Sequence, residues 1–263
     1  MSNVNPIRKC HLCRRERDLC LSHILSEFLY LDLYDNKHRF LKVTSDPSDL
    51  GNAFPQKGFR EHLLCDECEN KISKWESYGK NVLDEVKRLH AFHGVVYMQK
   101  VDYTMFKLFL MSLLWRISIS TIFNDVKLEK VNEEQLRQMV YRGDAGRDLD
   151  FPCVLRKLRK RGNHPYDTSR FFRPPVQMSI QSVVDCHFVI YGFAFDFIIG
   201  QYRKIKAFSG RFLSNTGNLL VYVVDDTFIV DYWRQTAIHA IRGNRKFEKM
   251  WIDQFKNPRV NIS

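Results

Sequence analysis

The chain has 263 residues, 44% of them hydrophobic and 27% charged, which is the balance of a folded globular protein and excludes a disordered one. Its 41 Lys and Arg against 30 Asp and Glu leave a formal net charge of +11, and the field of that surplus attracts polyanions, nucleic acid foremost. The best membrane candidate, "LFLMSLLW" at 108–115, lies between Lys107 and Arg116 and falls far short of the about 20 apolar residues of a bilayer span, so no membrane association is expected.

In chain order, "MSNVNPIRKC" at the start offers no apolar stretch of signal-peptide type, so the expected location is cytoplasmic. In a reducing compartment the seven cysteines, at 10, 13, 20, 65, 68, 153 and 186, read as metal ligands plus buried thiols and not as a disulfide framework. Cys10 and Cys13 form one C-x2-C pair, and Cys65 and Cys68 form another. Four thiolates at about 2.3 Å saturate a tetrahedral Zn²⁺, so the expected site is closed and structural. Unrelated surface thiols are the plain alternative, and a redox pair is disfavoured because no thioredoxin-like strand precedes either motif. Between the pairs, "TSDPSDLGNAFPQKG" at 44–58 carries the Pro, Gly, Asp and Ser of a long loop.

From about residue 70 the apolar spacing of Ile72, Trp75, Val82, Leu83, Val86 and Leu89 predicts a helix, with Gly79 a candidate kink and Glu76 facing solvent. Residues 103–123 are apolar on most faces and free of Pro and Gly, which predicts a buried central helix. An amphipathic helix follows over 127–144, with Asn132 as N-cap and Gly143 near its end. Residues 147–175 hold Pro152, Pro165, Pro174 and Pro175 and read as an irregular connector. Its Arg156, Lys157, Arg159, Lys160, Arg161, Arg170 and Arg173 are candidate phosphate contacts, with Tyr166, Phe171 and Phe172 able to stack on bases. A solvated charged face is the plainer reading of such a run. Beyond 176, "VVDCHFVIYGFAFDFIIG", "RKIKAFSGRFL" and "LLVYVVDD" predict an antiparallel sheet, with Tyr191, Phe193, Phe195 and Phe197 on one side of a half-buried strand. The segment "RQTAIHAIRGNRKFEKMWIDQF" has helical character.

His23 stands in "LCLSHILSEFLY", where an apolar run delivers a polar dipeptide. The order of the first cysteine pair, "SHI" at 22–24, "HLLCDECEN" at 62–70 and a following helix resembles the HNH, or ββα-metal, nucleases over about residues 8–90. It also resembles a set of uncharacterised bacterial proteins sharing the "SHI…EF.Y…QKG..E.LLC..CE…E.Y" pattern. The resemblance implies that His23 is the general base, that Glu69 stands in place of a closing histidine and holds Mg²⁺ or Mn²⁺, and that Glu27 and Asn70 are nearby polar partners. Against the family pattern, Ser22 replaces an acidic metal ligand, and the middle asparagine falls near Arg60 or Glu61. Histidines 11, 38 and 62 lie close to the module as surface residues.

The expected fold is α+β: a zinc-stapled, treble-clef-like ββα module over 1–95, a helical segment with the basic connector over 96–175, and a C-terminal β-rich domain with a terminal helix over 176–263. The expected function is cleavage of nucleic acid, DNA before RNA, by an HNH-like endonuclease. The resemblance adds a role in defence against phage or mobile DNA, with an oligomer or a defence protein as partner. A non-catalytic zinc-binding adaptor for nucleic acid or protein is the alternative. A third reading places chemistry in the C-terminal sheet, where His187, Asp196, Asp225 and Asp226 form no recognisable motif.

Overall fold

A computed structural model of the chain describes residues 7–34, 58–161, 167–180, 183–200, 205–206 and 210–231. The expected 44–58 loop as far as residue 57, together with His38, Tyr166 and the helical segment at 234–255, lies outside the described residues.

Strands β1 (Ile7–Lys9), β2 (Glu16–His23) and β3 (Arg60–Cys65) form an antiparallel sheet in that order, with an irregularity in the β2–β3 register between Cys20 and Leu21. Helix α1 (Asp66–Arg88) starts directly from β3. Its first turn carries Asp66, Glu67 and Glu69 and its last turn Lys87 and Arg88, the charge order that the helix dipole favours. Ile72, Trp75, Val82, Leu83 and Val86 are buried as their spacing predicts, whereas Leu89 caps the helix end and is partly exposed. Gly79 serves a different purpose from a kink. A Cβ there would stand 2.5 Å from the Phe109 ring, so the missing side chain lets α2 (Tyr103–Ile119) pack closely on α1.

Helix α2 is buried on every face from Phe106 to Ser118, as an apolar sequence without a polar stripe requires. Asp102 caps it by accepting from the Met105 N–H at 3.0 Å. Helix α3 (Lys130–Arg142) is capped at Glu129, three residues before the expected Asn132. Gly143 closes it in the left-handed region at φ 76°, its N–H reaching the carbonyls of Met139 and Val140.

The second sheet has six strands in the order β4-β9-β5-β8-β7-β6. These are β4 (Val95–Met98), β5 (Cys153–Arg159), β6 (Arg173–Ile180), β7 (Val183–Ile190), β8 (Phe193–Gly200) and β9 (Leu219–Asp225). It differs from the expected C-terminal antiparallel sheet in two ways. Strands β4 and β5 come from earlier in the chain, and β5 runs parallel to β9, so the sheet is mixed. The supposed connector therefore contains a central strand, buried at Cys153, Leu155 and Leu158 while its basic residues occupy other positions. Strand β8 is buried from Phe193 through Ile199, on both faces and not one. A hydrophobic core runs from Cys10 through α1 and α2 to Val221, and a smaller one joins Leu158, Phe171 and Val189 to Ile229 and Val230. Phe171 and Phe172 sit inside these cores, which removes them as base-stacking residues.

Candidate metal centre and the polar cluster beside it

Cys10 and Cys13 lie on the turn between β1 and β2, while Cys65 ends β3 as the N-cap of α1 and Cys68 sits in that helix's first turn. The turn is tight because the Arg14 N–H returns to the Cys10 carbonyl at 2.9 Å and the Cys10 N–H reaches the Arg15 carbonyl at 2.8 Å, with Arg14 in the left-handed region at φ 63°. The four sulfurs all lie within 4.8 Å of one another and are positioned to bind a metal ion. Cys13 and Cys65 are 3.9 Å apart at Sγ. Ligands at about 2.3 Å around tetrahedral zinc stand about 3.8 Å apart, so the spacing suits that ion. The Cys65 N–H points to the Cys10 sulfur at 3.4 Å, a contact that favours a thiolate.

The four thiols are linked by hydrogen bonds: the bond from Cys68 lowers the Cys10 thiol, the same bond and burial push Cys68 up, and burial pushes Cys65 up. The cysteines outside the quartet form no disulfide; Cys153 and Cys186 are buried as expected, and Cys20 is half-buried.

Where β2 ends against α1 and α2, the apolar interior holds a compact polar group. Arg116, 1% exposed, donates to Glu76 Oε1 at 2.7 Å, to the His23 carbonyl at 2.8 Å and to the Ser112 carbonyl at 3.2 Å. The Ser26 hydroxyl donates to Glu76 Oε1 at 2.7 Å. Glu76 is thus an internal ion-pair partner and not the solvent-facing residue its helix position suggests. Burial works against its charge, but Arg116, the Ser26 hydrogen bond and His23 hold its carboxyl below the usual range.

His23 is half-buried, and Glu69 reaches the same group from α1 through a hydrogen bond with buried Ser22. Burial pushes the Glu69 carboxyl above the usual carboxylate range, against the opposing pull of Ser22 and Arg116. Its Oε1 is buried with no hydrogen-bond partner. The structure thus gathers His23 and Glu69 around the Arg116–Glu76 pair, whereas Glu27 and Asn70 are exposed, Asn70 donating to Asp66 at 3.0 Å. Glu61, near the position of the family's middle asparagine, instead binds the turn after α2 through Ser120, Thr121 and Ile122. Among the described residues, the four cysteines form the one group of three or more His, Cys, Asp or Glu with ligand atoms this close. Arg116 supplies the positive charge beside Glu69 and Glu76.

The candidate phosphate contacts divide. Arg156 makes two 2.7 Å bonds to Asp196, which also binds His187 Nδ1 at 2.7 Å. Lys157 donates to the carbonyls of Val86, Lys87 and Leu89 and closes the end of α1. These two are internal anchors, and the expectation that they grip phosphate is corrected accordingly. Arg159 and Arg161 pair with Asp225 while staying largely exposed, Lys160 is exposed, and Arg170 and Arg173 are half-buried. A second basic surface went unread in the sequence: Arg8, Lys9, Arg14, Arg15 and Arg17 are exposed on the cysteine hairpin, and Arg8 lies directly opposite Arg17 across β1 and β2. The signal was there in "IRKCHLCRRER", where the cysteines drew attention from their neighbours.

Comparison of the chain with models of known families, with curated proteins and with solved structures found no match.

Proposed function

We propose that this chain is an HNH-like endonuclease that acts on nucleic acid, DNA before RNA, with its ββα module stapled by Zn²⁺ on Cys10, Cys13, Cys65 and Cys68. The carrying observation is the orphaned, buried Oε1 of Glu69 in the polar group that also holds the end of the His23 strand. A desolvated carboxylate oxygen without a donor fits a cation, and Mg²⁺ or Mn²⁺ needs only one or two protein carboxylates when substrate phosphate and water complete its shell. Glu69 would hold that ion, which when bound neutralises charge on the scissile phosphate. His23, with a near-neutral ordinary pKa, takes the proton from the attacking water. Arg116 and Glu76 act through it: the guanidinium fixes the His23 carbonyl, and the Glu76 charge favours the imidazolium formed by proton uptake. Exposed arginines on the cysteine hairpin and at 159–161 supply sequence-independent attraction for the phosphate backbone. A treble-clef-like module, action in defence against mobile DNA, and assembly with a copy of itself or a defence protein belong to the same reading. Among the described residues no helix is long and apolar enough to cross a membrane.

A binding-only zinc adaptor is the second reading. It is favoured by the Arg116 guanidinium, which already supplies a cation beside the two carboxylates. The deciding experiment incubates purified protein with plasmid, single-stranded DNA and RNA in Mg²⁺ or Mn²⁺, beside His23→Ala and a chelated control restored with Mn²⁺, zinc content being measured throughout. Cleavage that disappears in His23→Ala at unchanged zinc content supports the nuclease. Retention of the same substrates uncut under every ion supports the adaptor.

A further inference from the structure

Between the cysteine turn, the end of α2 and the start of α3 lies a cavity of about 250 Å³ lined by His11, Arg14, Trp115, Ser118, Ile119, Lys127 and Glu133. That is below the about 300 Å³ at which pockets for drug-sized ligands begin, and it suits a single ring system. Its chemistry is unbalanced in a specific way. Trp115 is 1% exposed, yet its indole N–H, the ring's one donor, has no partner. A buried N–H left alone carries its desolvation cost uncompensated, so this wall calls for an acceptor. Glu133, on the first turn of α3, has its backbone N–H bonded to Glu129; its carboxylate interacts electrostatically with the His11 ring across the cavity but makes no hydrogen bond or ion pair among the described residues, so that wall calls for donors. Lys127 is occupied with the carbonyls of Ser118 and Ser120 at the end of α2, and Arg14 has only a distant pairing with Glu134 at 3.6 Å.

A bare phosphate would satisfy the indole and Arg14 but repel Glu133. A planar heterocycle with an acceptor edge beside two adjacent N–H groups satisfies both walls. Guanine has that pattern: N1–H and N2–H suit one carboxylate, while O6 and N7 accept from an indole N–H or a guanidinium. We propose that this cavity receives one unstacked guanine base of a nucleic acid strand, with Glu133 reading its N1–N2 edge and Trp115 and Arg14 meeting its acceptors. The choice of a nucleobase rests on the nucleic-acid reading above; the donor and acceptor pattern of the walls does not. With the exposed Arg8, Arg15 and Arg17 on the neighbouring hairpin, the phosphates on either side of such a base have cationic partners.

Calorimetric titration of the full, zinc-loaded chain with GMP, AMP, UMP and inorganic phosphate tests the assignment. GMP should bind, AMP and phosphate should bind at least about tenfold more weakly, and Glu133→Gln should reduce GMP affinity by about 10- to 100-fold. Glu133 is half-buried on the first turn of α3, and circular dichroism and zinc content verify that the variant folds. Trp115→Phe keeps the ring and removes only the donor, so it should weaken GMP while leaving the helical signal intact. Equal binding of phosphate and GMP would make this an anion site and overturn the proposal, as would equal binding of AMP, an unaltered affinity in Glu133→Gln, or no binding of any probe. GMP binding without nucleic-acid cleavage would sink the nuclease reading and leave the base site standing. Cleavage dependent on His23 with no GMP binding would do the reverse.

Discussion

Replacing Arg116 with methionine isolates the interaction that anchors the His23 strand. Arg116 is 1% exposed and Glu76 21%, so the substitution strands a mostly buried carboxylate, strips the His23 carbonyl of its charged donor and leaves Glu76 Oε1 with the Ser26 hydroxyl. Removing one member of a buried pair costs about 3–5 kcal/mol. That is a large part of the about 5–15 kcal/mol that holds an ordinary domain together. Glu76→Met alone should be milder, because Arg116 keeps the carbonyls of His23 and Ser112. The double variant should recover at least about 2 kcal/mol relative to the sum of the single changes, since it removes both charges together. Urea unfolding at fixed zinc, followed by far-ultraviolet circular dichroism, measures all four corners of this cycle. The pH dependence adds an independent check. Glu76 is depressed in the folded protein, so its contribution is present above the unfolded carboxylate value and is lost as pH falls through the folded one. In Arg116→Met burial acts on Glu76 with its main counter-charge gone, so the folded value rises toward or past the unfolded one and this group's share of the acid destabilisation shrinks or reverses. Additive single effects within about 0.5 kcal/mol, with an unchanged acid limb, would refute the coupling.

Three other outcomes follow from the packing and the sulfur cluster. One Zn²⁺ per chain should be found by elemental analysis, and Cys10→Ser or Cys68→Ser should lower metal content and the unfolding midpoint together, because metal binding and folding of such a module are linked. Gly79→Ala should cost about 1–3 kcal/mol in urea unfolding, since its Cβ would stand 2.5 Å from the Phe109 ring, and Phe109→Leu in that background should recover part of the loss. Lys107, buried beneath the carbonyls of Asp148 and Phe151, is pushed down to about 8 by burial. Between that value and the unfolded one the unfolded chain binds more protons, so stability should rise by about 2 kcal/mol from pH 7.5 to 9.5, and Lys107→Met should abolish the rise.

The readable and unreadable parts of the chain differ for physical reasons. The cysteine quartet was legible because a metal imposes short spacings, and α1, α2 and α3 because their apolar periods are long enough to average over exceptions. Strand β5 was hidden because Arg156, Lys157 and Arg159 made "VLRKLR" look like a solvated charge run, although its Cys153, Leu155 and Leu158 are buried. Two of those charges are neutralised inside the fold by Asp196 and by the carbonyl end of α1, partners distant in sequence. Glu76 was misread because a helix period assigns faces, not depths, and it lies beside Trp75 near the seam with α2. Its counter-charge left a trace: an arginine within "LFLMSLLWRISIS" is buried on every side, and a buried guanidinium requires a partner. The parallel β5–β9 pairing left no trace, since strand order is decided by tertiary packing.

The place of β9 in the larger sheet bears on how the protein forms during synthesis. It is the seam between β4 and β5, which precede it by about 120 and 60 residues, so those two strands emerge from the ribosome with unsatisfied edges and wait for a neighbour not yet translated. Pairings across such separations close slowly and leave apolar strands open to wrong partners. The helices and the cysteine hairpin, built from nearer contacts, can assemble first. A chain interrupted before Leu219 would keep its cysteine knuckle but lose the strand that joins β4 to the other four strands of its sheet, so truncation should yield aggregation-prone fragments even when zinc is supplied.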